Sequence, residues 1–154
     1  MMNVRKASLD DLQQLAELRW EFQKPSGNGS ETVREDFLRY CARFLEKGLE
    51  DGTWVYWVVE ADGRIVSHAF VQRIRKVPKP GRLIGEFGYL TNVYTCPEYR
   101  NRGYGSRLLD TIRDWAREEG LELLIVWPSR ESAGFYKKAG YSAENEIREL
   151  IIIP

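Results

Sequence analysis

A chain of 154 residues is the size of one folded domain with its own core, and the expectation is a single domain over 1–154. At 43% hydrophobic and 30% charged residues it has an ordinary globular composition, and no apolar run reaches the ~20 residues that cross a bilayer. Its 23 basic and 23 acidic residues cancel, which excludes a global field that gathers nucleic acid or an acidic membrane, so any basic site is local.

The first residues, MMNVRKASLDDLQQL, lack the apolar core of a signal peptide. Cys41 and Cys96 then read as reduced thiols of a cytoplasmic protein. Two cysteines and one histidine, His68, do not make a zinc site. A Ser-His-Asp or Cys-His engine would rest on His68 alone, and a lone histidine in a strand is more often packed than catalytic.

In chain order, residues 3–6 suit a short strand. Ser8 and the acids Asp10 and Asp11 suit a helix start, and apolar residues from Leu9 to Leu18 carry that helix to about Gln23. KPSGNGS (24–30) breaks it. Ser30 caps a second helix whose stripe is Val33, Phe37, Tyr40, Cys41, Phe44 and Leu45, ending near Gly48. TWVYWVVE (53–60) and RIVSHAFVQRI (64–74) are β-runs joined by Asp62-Gly63, a hairpin signal. LIGEFGYLTNVYT (83–95) reads as a third strand, with Gly85 and Gly88 marking a bulge or a close backbone approach. A helix over 103–119 puts Leu108, Leu109, Ile112, Trp115 and Ala116 on one face. LELLIVWP (121–128) reads as a buried strand, 129–139 as a short helix, and 147–154 as a final strand. The order β-α-α-β-β-β-α-β-α-β predicts a mixed α/β layer structure.

The chemistry concentrates in CPEYRNRGYGSRLL, where Arg100, Arg102 and Arg107 surround Gly103 and Gly105 at a helix mouth. The first amides of a helix lack intrahelical partners and carry partial positive charge, so such a mouth binds phosphate. Glycines let the backbone come close, and arginines add charge-assisted bonds. A P-loop needs Gly-Lys-Ser/Thr, but Ser106-Arg107 follows Gly105. A dinucleotide loop needs a third glycine where Leu108 stands. Both readings fail, and a helix start with merely solvated arginines is the bland alternative.

YRNRGYGSRLL resembles the R/Q-x-x-G-x-G/A signature of the GNAT superfamily of N-acetyltransferases, with Arg100, Gly103 and Gly105 in the signature positions. NVYTCPEYR resembles the strand before that signature, and SAGFYKKAGYS resembles the family's later F-Y-x-x-x-G-F segment, with Tyr136, Gly140 and Tyr141 in place. The resemblance implies a GNAT-like acyl-CoA N-acyltransferase fold, with a mostly antiparallel twisted sheet and helices on both faces. It implies acetyl-CoA as co-substrate. Arg100, Asn101, Arg102, Gly103, Tyr104, Gly105 and Ser106 would hold its diphosphate, and the backbone of Val93, Tyr94 and Thr95 would pair with its pantetheine arm as an added strand.

The implied reaction is direct attack of an amine, once deprotonated, on the thioester carbonyl. A strand amide near Val93 or Tyr94 would serve the oxyanion, and Tyr136 would protonate the departing thiolate. A phenol, with a pKa near ~10, is protonated at neutral pH. Outside the family a packed aromatic would be the commoner role for Tyr136.

Other positions match less well. Where several relatives have an asparagine by the pantetheine, this chain has Ser129, which equally suits a helix cap. Where some have a glutamate base, it has Tyr89. Glu86 is the nearest candidate base, but in an unbroken strand its side chain has the opposite parity to Tyr89, unless Gly88 carries a bulge. Glu60, His68 and a water relay are the alternatives. Trp20, Phe22, Trp54, Trp57 and Tyr89 are candidates for the acceptor site, with KPSGNGSE as a lid. The expected acceptor is a small-molecule amine. A protein or peptide acetyltransferase and a non-catalytic acetyl-CoA-binding module are the competing functions. Many relatives pair, so a homodimer is the oligomer to look for.

Overall fold

The aromatic and β-branched runs of the middle of the chain are apolar on both faces, so they need cover on both sides. The computed structural model, which describes residues 2–24 and 30–153, supplies it. Strands β1 (Asn3–Lys6), β2 (Trp54–Ala61), β3 (Arg64–Arg75), β4 (Glu86–Thr95) and β5 (Leu124–Ile125) form one sheet in that order. All pairs are antiparallel except β4 with β5. Helices α1 (Leu12–Gln23) and α2 (Glu31–Asp51) accompany one face, α3 (Tyr104–Glu118) the other, and the short α4 (Ala133–Lys138) follows β5. This is the mixed α/β fold expected.

Two cores result, one per face. Leu108, Leu109, Ile112, Trp115 and Ala116 of α3 are buried with Val66, Ala69, Val71 and Leu90 of the sheet. Leu12 and Leu15 of α1 and Leu45 of α2 are buried with Tyr56, Val58, Ile65 and Phe70 on the opposite face. The side chains of β3 thus divide between two layers, with the facing shifted by the irregularity at Val66, where Ile65 and Ser67 pair with the adjacent residues Glu60 and Val59.

Local chemistry fixes the ends. Asp62 (φ 52°) and Gly63 (φ 73°) both turn left-handed at the β2–β3 hairpin, as its tight turn requires. Ser8 and Asp11 cap each other reciprocally, and Arg5 donates to both carboxylate oxygens of Asp11 at 2.7 and 2.9 Å. That guanidinium holds the Asp11 carboxyl down at about 2.

The structure corrects three elements. Helix α2 runs through Gly48, because that glycine packs on Tyr56 and Trp54, and it stops at Gly52. The run 121–128 contributes only Leu124–Ile125 to the sheet, pairing with Gly88 and Tyr89 before it parts from β4. The apolar tail expected as a last strand forms none: Leu150, Ile151, Ile152 and Ile153 are exposed. A two-residue β5 offers too short an edge to template another strand.

Candidate active site

Past Tyr89 and Ile125 the two parallel strands separate, leaving one edge of β4 without a strand partner. The opening is a cleft of about 850 Å³, walled by β4, by residues 126–129, by the start of α3, by α4 and by the end of α1.

β4 itself is irregular here. Phe70 faces Thr91 and His68 faces Tyr94, so two residues, Asn92 and Val93, stand opposite Ala69. Asn92 is the extra residue of the bulge, at φ 51°, a left-handed conformation that asparagine tolerates better than most residues. His68, 0% exposed, spans this kink: its Nδ1 is 2.8 Å from the Asn92 carbonyl oxygen, which accepts from it.

Burial pulls the His68 imidazole from 6.5 down to about 4. The unfolded chain therefore takes up a proton between those values that the folded chain refuses, and stability falls as pH falls through that window. The expected loss at pH 5 relative to pH 7 is about 2 kcal/mol from this residue alone. His68→Asn should remove that part of the slope in urea melts at the two pH values; an unchanged slope would exclude His68 as its source.

The helix mouth is built as an anion cradle. Asn101 (φ 61°) and Gly103 (φ 81°) are left-handed and Arg102 lies between them. Such alternation gathers successive amides into a concavity. Gly103 is the N-cap of α3 without a side chain to satisfy the first amides, while Arg107 N–H already returns to the Gly103 carbonyl at 3.0 Å. A Cβ on Gly105 would lie 3.1 Å from Phe135 Cζ and 3.7 Å from Thr95 Oγ1, so the bare backbone is what lets this turn nestle between β4 and α4. Arg100 donates from Nε to the Thr95 carbonyl at 3.0 Å and lies over the Tyr94 ring. These donors suit the diphosphate of a CoA thioester. Arg102 instead lies over Tyr99, which lines the cleft, and is not itself part of that lining.

On the far wall Tyr136 is 8% exposed, its ring edge-on to Phe135 and Tyr141. Desolvation raises its pKa, so the phenol keeps its proton at neutral pH. Ser129 also lines the cleft, and its hydroxyl lies 2.8 Å from that of Ser132 at the start of the turn before α4.

The cleft gathers Val93, Tyr94, Thr95, Arg100, Asn101, Gly103, Tyr104, Gly105, Ser106, Ser129, Tyr136 and Tyr89. It does not gather Glu86. β4 keeps its register with β3 from Glu86 to Leu90, so no bulge at Gly88 turns that side chain round. Glu86 instead faces α3, accepting two hydrogen bonds from Arg73 at 2.9 and 3.1 Å, and Arg73 also lies over Trp115. Trp20 packs on Phe37 and Trp54 on Phe44 and Tyr56, both away from the cleft. Glu60 is paired with Arg5. Most of the proposed lid, 25–29, lies outside the described residues. Sequence reasoning missed Arg19, Asn92, Trp127 and Phe135, all of which line the cleft. Only Asn92 left a trace, as a turn-forming residue inside a β-run.

Comparison with known proteins identifies the family and the fold. The Acetyltransferase (GNAT) family matches residues 11–141. A crystal structure described as a predicted acetyltransferase with acetyl-CoA from Clostridium acetobutylicum superposes with TM-score 0.75 at 26% identity, over 99% of this chain and 97% of that one. An uncharacterized N-acetyltransferase of Methanocaldococcus jannaschii is 22% identical over 94% of this chain, which spans 62% of that protein. An amino-acid acetyltransferase of Pseudomonas putida is 29% identical over 90% of this chain, which spans 27% of it.

Proposed function

We propose that this chain, which belongs to the GNAT family, is an acetyl-CoA-dependent N-acetyltransferase whose acceptor is the primary amine of a small molecule, with Tyr136 as general acid. The observation that carries this reading is that one cleft holds the amide cradle of α3, the unpaired edge of β4 and the Tyr136 phenol together. The name of the Pseudomonas putida relative, an amino-acid acetyltransferase, also points to a small acceptor.

Acetyl-CoA, when bound, supplies the activated acetyl group and a thiolate leaving group. In this reading the free amides of Tyr104, Gly105 and Ser106, with Arg100 and Asn101, bind the diphosphate. The β4 edge at Val93, Tyr94 and Thr95 orients the pantetheine arm through main-chain bonds. Tyr136 holds a proton at Oη for the thiolate, and Ser129 offers a second hydroxyl beside the arm. Glu86, Glu60 and His68 are spent elsewhere, so the acceptor's own proton leaves through water. Cys41 and Cys96 are both free, which suits a cytoplasmic enzyme. Among the described residues no helix is long and apolar enough to cross a membrane.

Release of free CoA from acetyl-CoA, followed with DTNB across a panel of small primary amines, tests the proposal. Turnover above the hydrolysis background on at least one amine is expected. Background rates throughout, with turnover only on peptides, would overturn the small-molecule reading.

A further inference from the structure

A charge without a counter-charge stands in the wall of this cleft. Arg19, near the end of α1, is half-buried, and its Nη1 donates to Asn92 Oδ1 at 2.9 Å. Its guanidinium lies 5.8 Å from the Phe22 ring centre, and all three residues line the cleft that holds Tyr136. Every aspartate and glutamate of the chain lies among the described residues, and none is in salt-bridge contact with Arg19. The part-buried Arg5 and Arg73, by contrast, each meet two carboxylates. Taking a charge partly out of water against one neutral amide is unfavourable unless something else completes the pairing. Desolvation accordingly lowers the Arg19 pKa, whereas Arg5 and Arg73 are raised by their partners.

We infer that Arg19 is the receptor for a carboxylate on the acceptor, so that the enzyme acetylates small amines that also bear a carboxylate. The inference rests on the small-amine reading above and names its substrate class.

Three features support it. A guanidinium has five N–H donors in a planar fork that fits a carboxylate, and Asn92 takes one. Asn92 is itself immobilised, since its carbonyl is held by the fully buried His68 and its backbone is locked in the left-handed bulge. Its side chain is a neutral amide, which orients the guanidinium without cancelling its charge. The second cation lining the cleft, Arg100, is tied to Thr95 at the cradle, so a single positive charge remains for the acceptor. One guanidinium balances a monoanionic carboxylate and leaves a dianionic phosphate under-compensated. The neighbouring walls are aromatic, with Tyr89 edge-on to Trp127 and Phe22 edge-on to Tyr94, which suits the carbon skeleton between amine and carboxylate.

The test uses matched acceptor pairs, L-phenylalanine with phenethylamine and L-leucine with isoamylamine, on the wild type, Arg19→Met and Asn92→Asp. The aspartate variant places an internal carboxylate against Arg19, which should preserve the fold and occupy the receptor. The wild-type kcat/KM is expected to favour the carboxylate member of each pair about 10- to 100-fold, the worth of one charged hydrogen-bonded contact, and both variants should erase that preference. In parallel, 3-phenylpropionate, which has no amine, should bind the CoA-saturated wild type in saturation-transfer NMR and fail to bind either variant. A wild type that prefers the decarboxylated amines, or a preference that survives both substitutions, would overturn the assignment. If no amine is turned over, the NMR arm decides: Arg19-dependent binding keeps the receptor and rejects the acetyl-acceptor reading, and absent binding in the wild type rejects the receptor.

Discussion

Tyr136→Phe should lower kcat by about a hundredfold or more while leaving acetyl-CoA affinity within a factor of about two, the signature of a lost general acid. The substitution removes one hydroxyl and keeps the ring that packs between Phe135 and Tyr141. Stability should therefore hardly change, because the packing contacts of the ring are kept. The phenol is suited to the role by its surroundings: desolvation keeps it protonated across the neutral range, so the proton is in place when a thiolate departs. Rapid-quench turnover with isothermal titration of acetyl-CoA separates the two effects. Wild-type kcat in a folded variant would reduce Tyr136 to a packing residue.

The second large effect is expected at the helix mouth. Gly103→Val should weaken acetyl-CoA binding about 10- to 100-fold, the loss of one to two strong amide contacts to an anion. Nothing lies within 4 Å of where its Cβ would be, so no clash opposes the substitution. The difficulty is conformational: φ 81° is a region a β-branched residue avoids, and relaxing it re-aims the amides of Tyr104 and Gly105. Gly120, at φ 76° beyond the other end of α3, is equally open. Gly120→Val should cost similar stability, of order 1–2 kcal/mol, and leave cofactor affinity alone. Equal affinity losses in both variants would mean that general destabilisation, not the cradle, was being measured.

How much of this was legible beforehand depended on the range of the physics involved. The α3 stripe, the Asp62-Gly63 hairpin and the glycines of the cradle are local signals, and each element formed where its spacing placed it. The parity argument over Glu86 also anticipated its true facing, because side-chain alternation is a property of one strand. What could not be read was any pairing across the fold. Glu86 found Arg73, thirteen residues away, and Arg19 found Asn92, seventy-three residues away. Trp20 and Trp54, credited to the acceptor site as aromatics, were claimed by helix packing instead. The shortness of β5 was equally hidden, since LELLIVWP is as apolar as a full strand and only its neighbour decides how much of it pairs.

That separation of β4 from β5 has a consequence for the life of the protein. If the thioester carrier fills the gap as proposed, the folded state is completed by a metabolite, and its free energy becomes coupled to the metabolite's abundance. At a hundredfold excess over the dissociation constant the coupling is worth about 2.7 kcal/mol. A cell low in acetyl groups would then hold not merely an idle enzyme but a less durable one, so that supply of the donor would govern the lifetime of the catalyst as well as its rate.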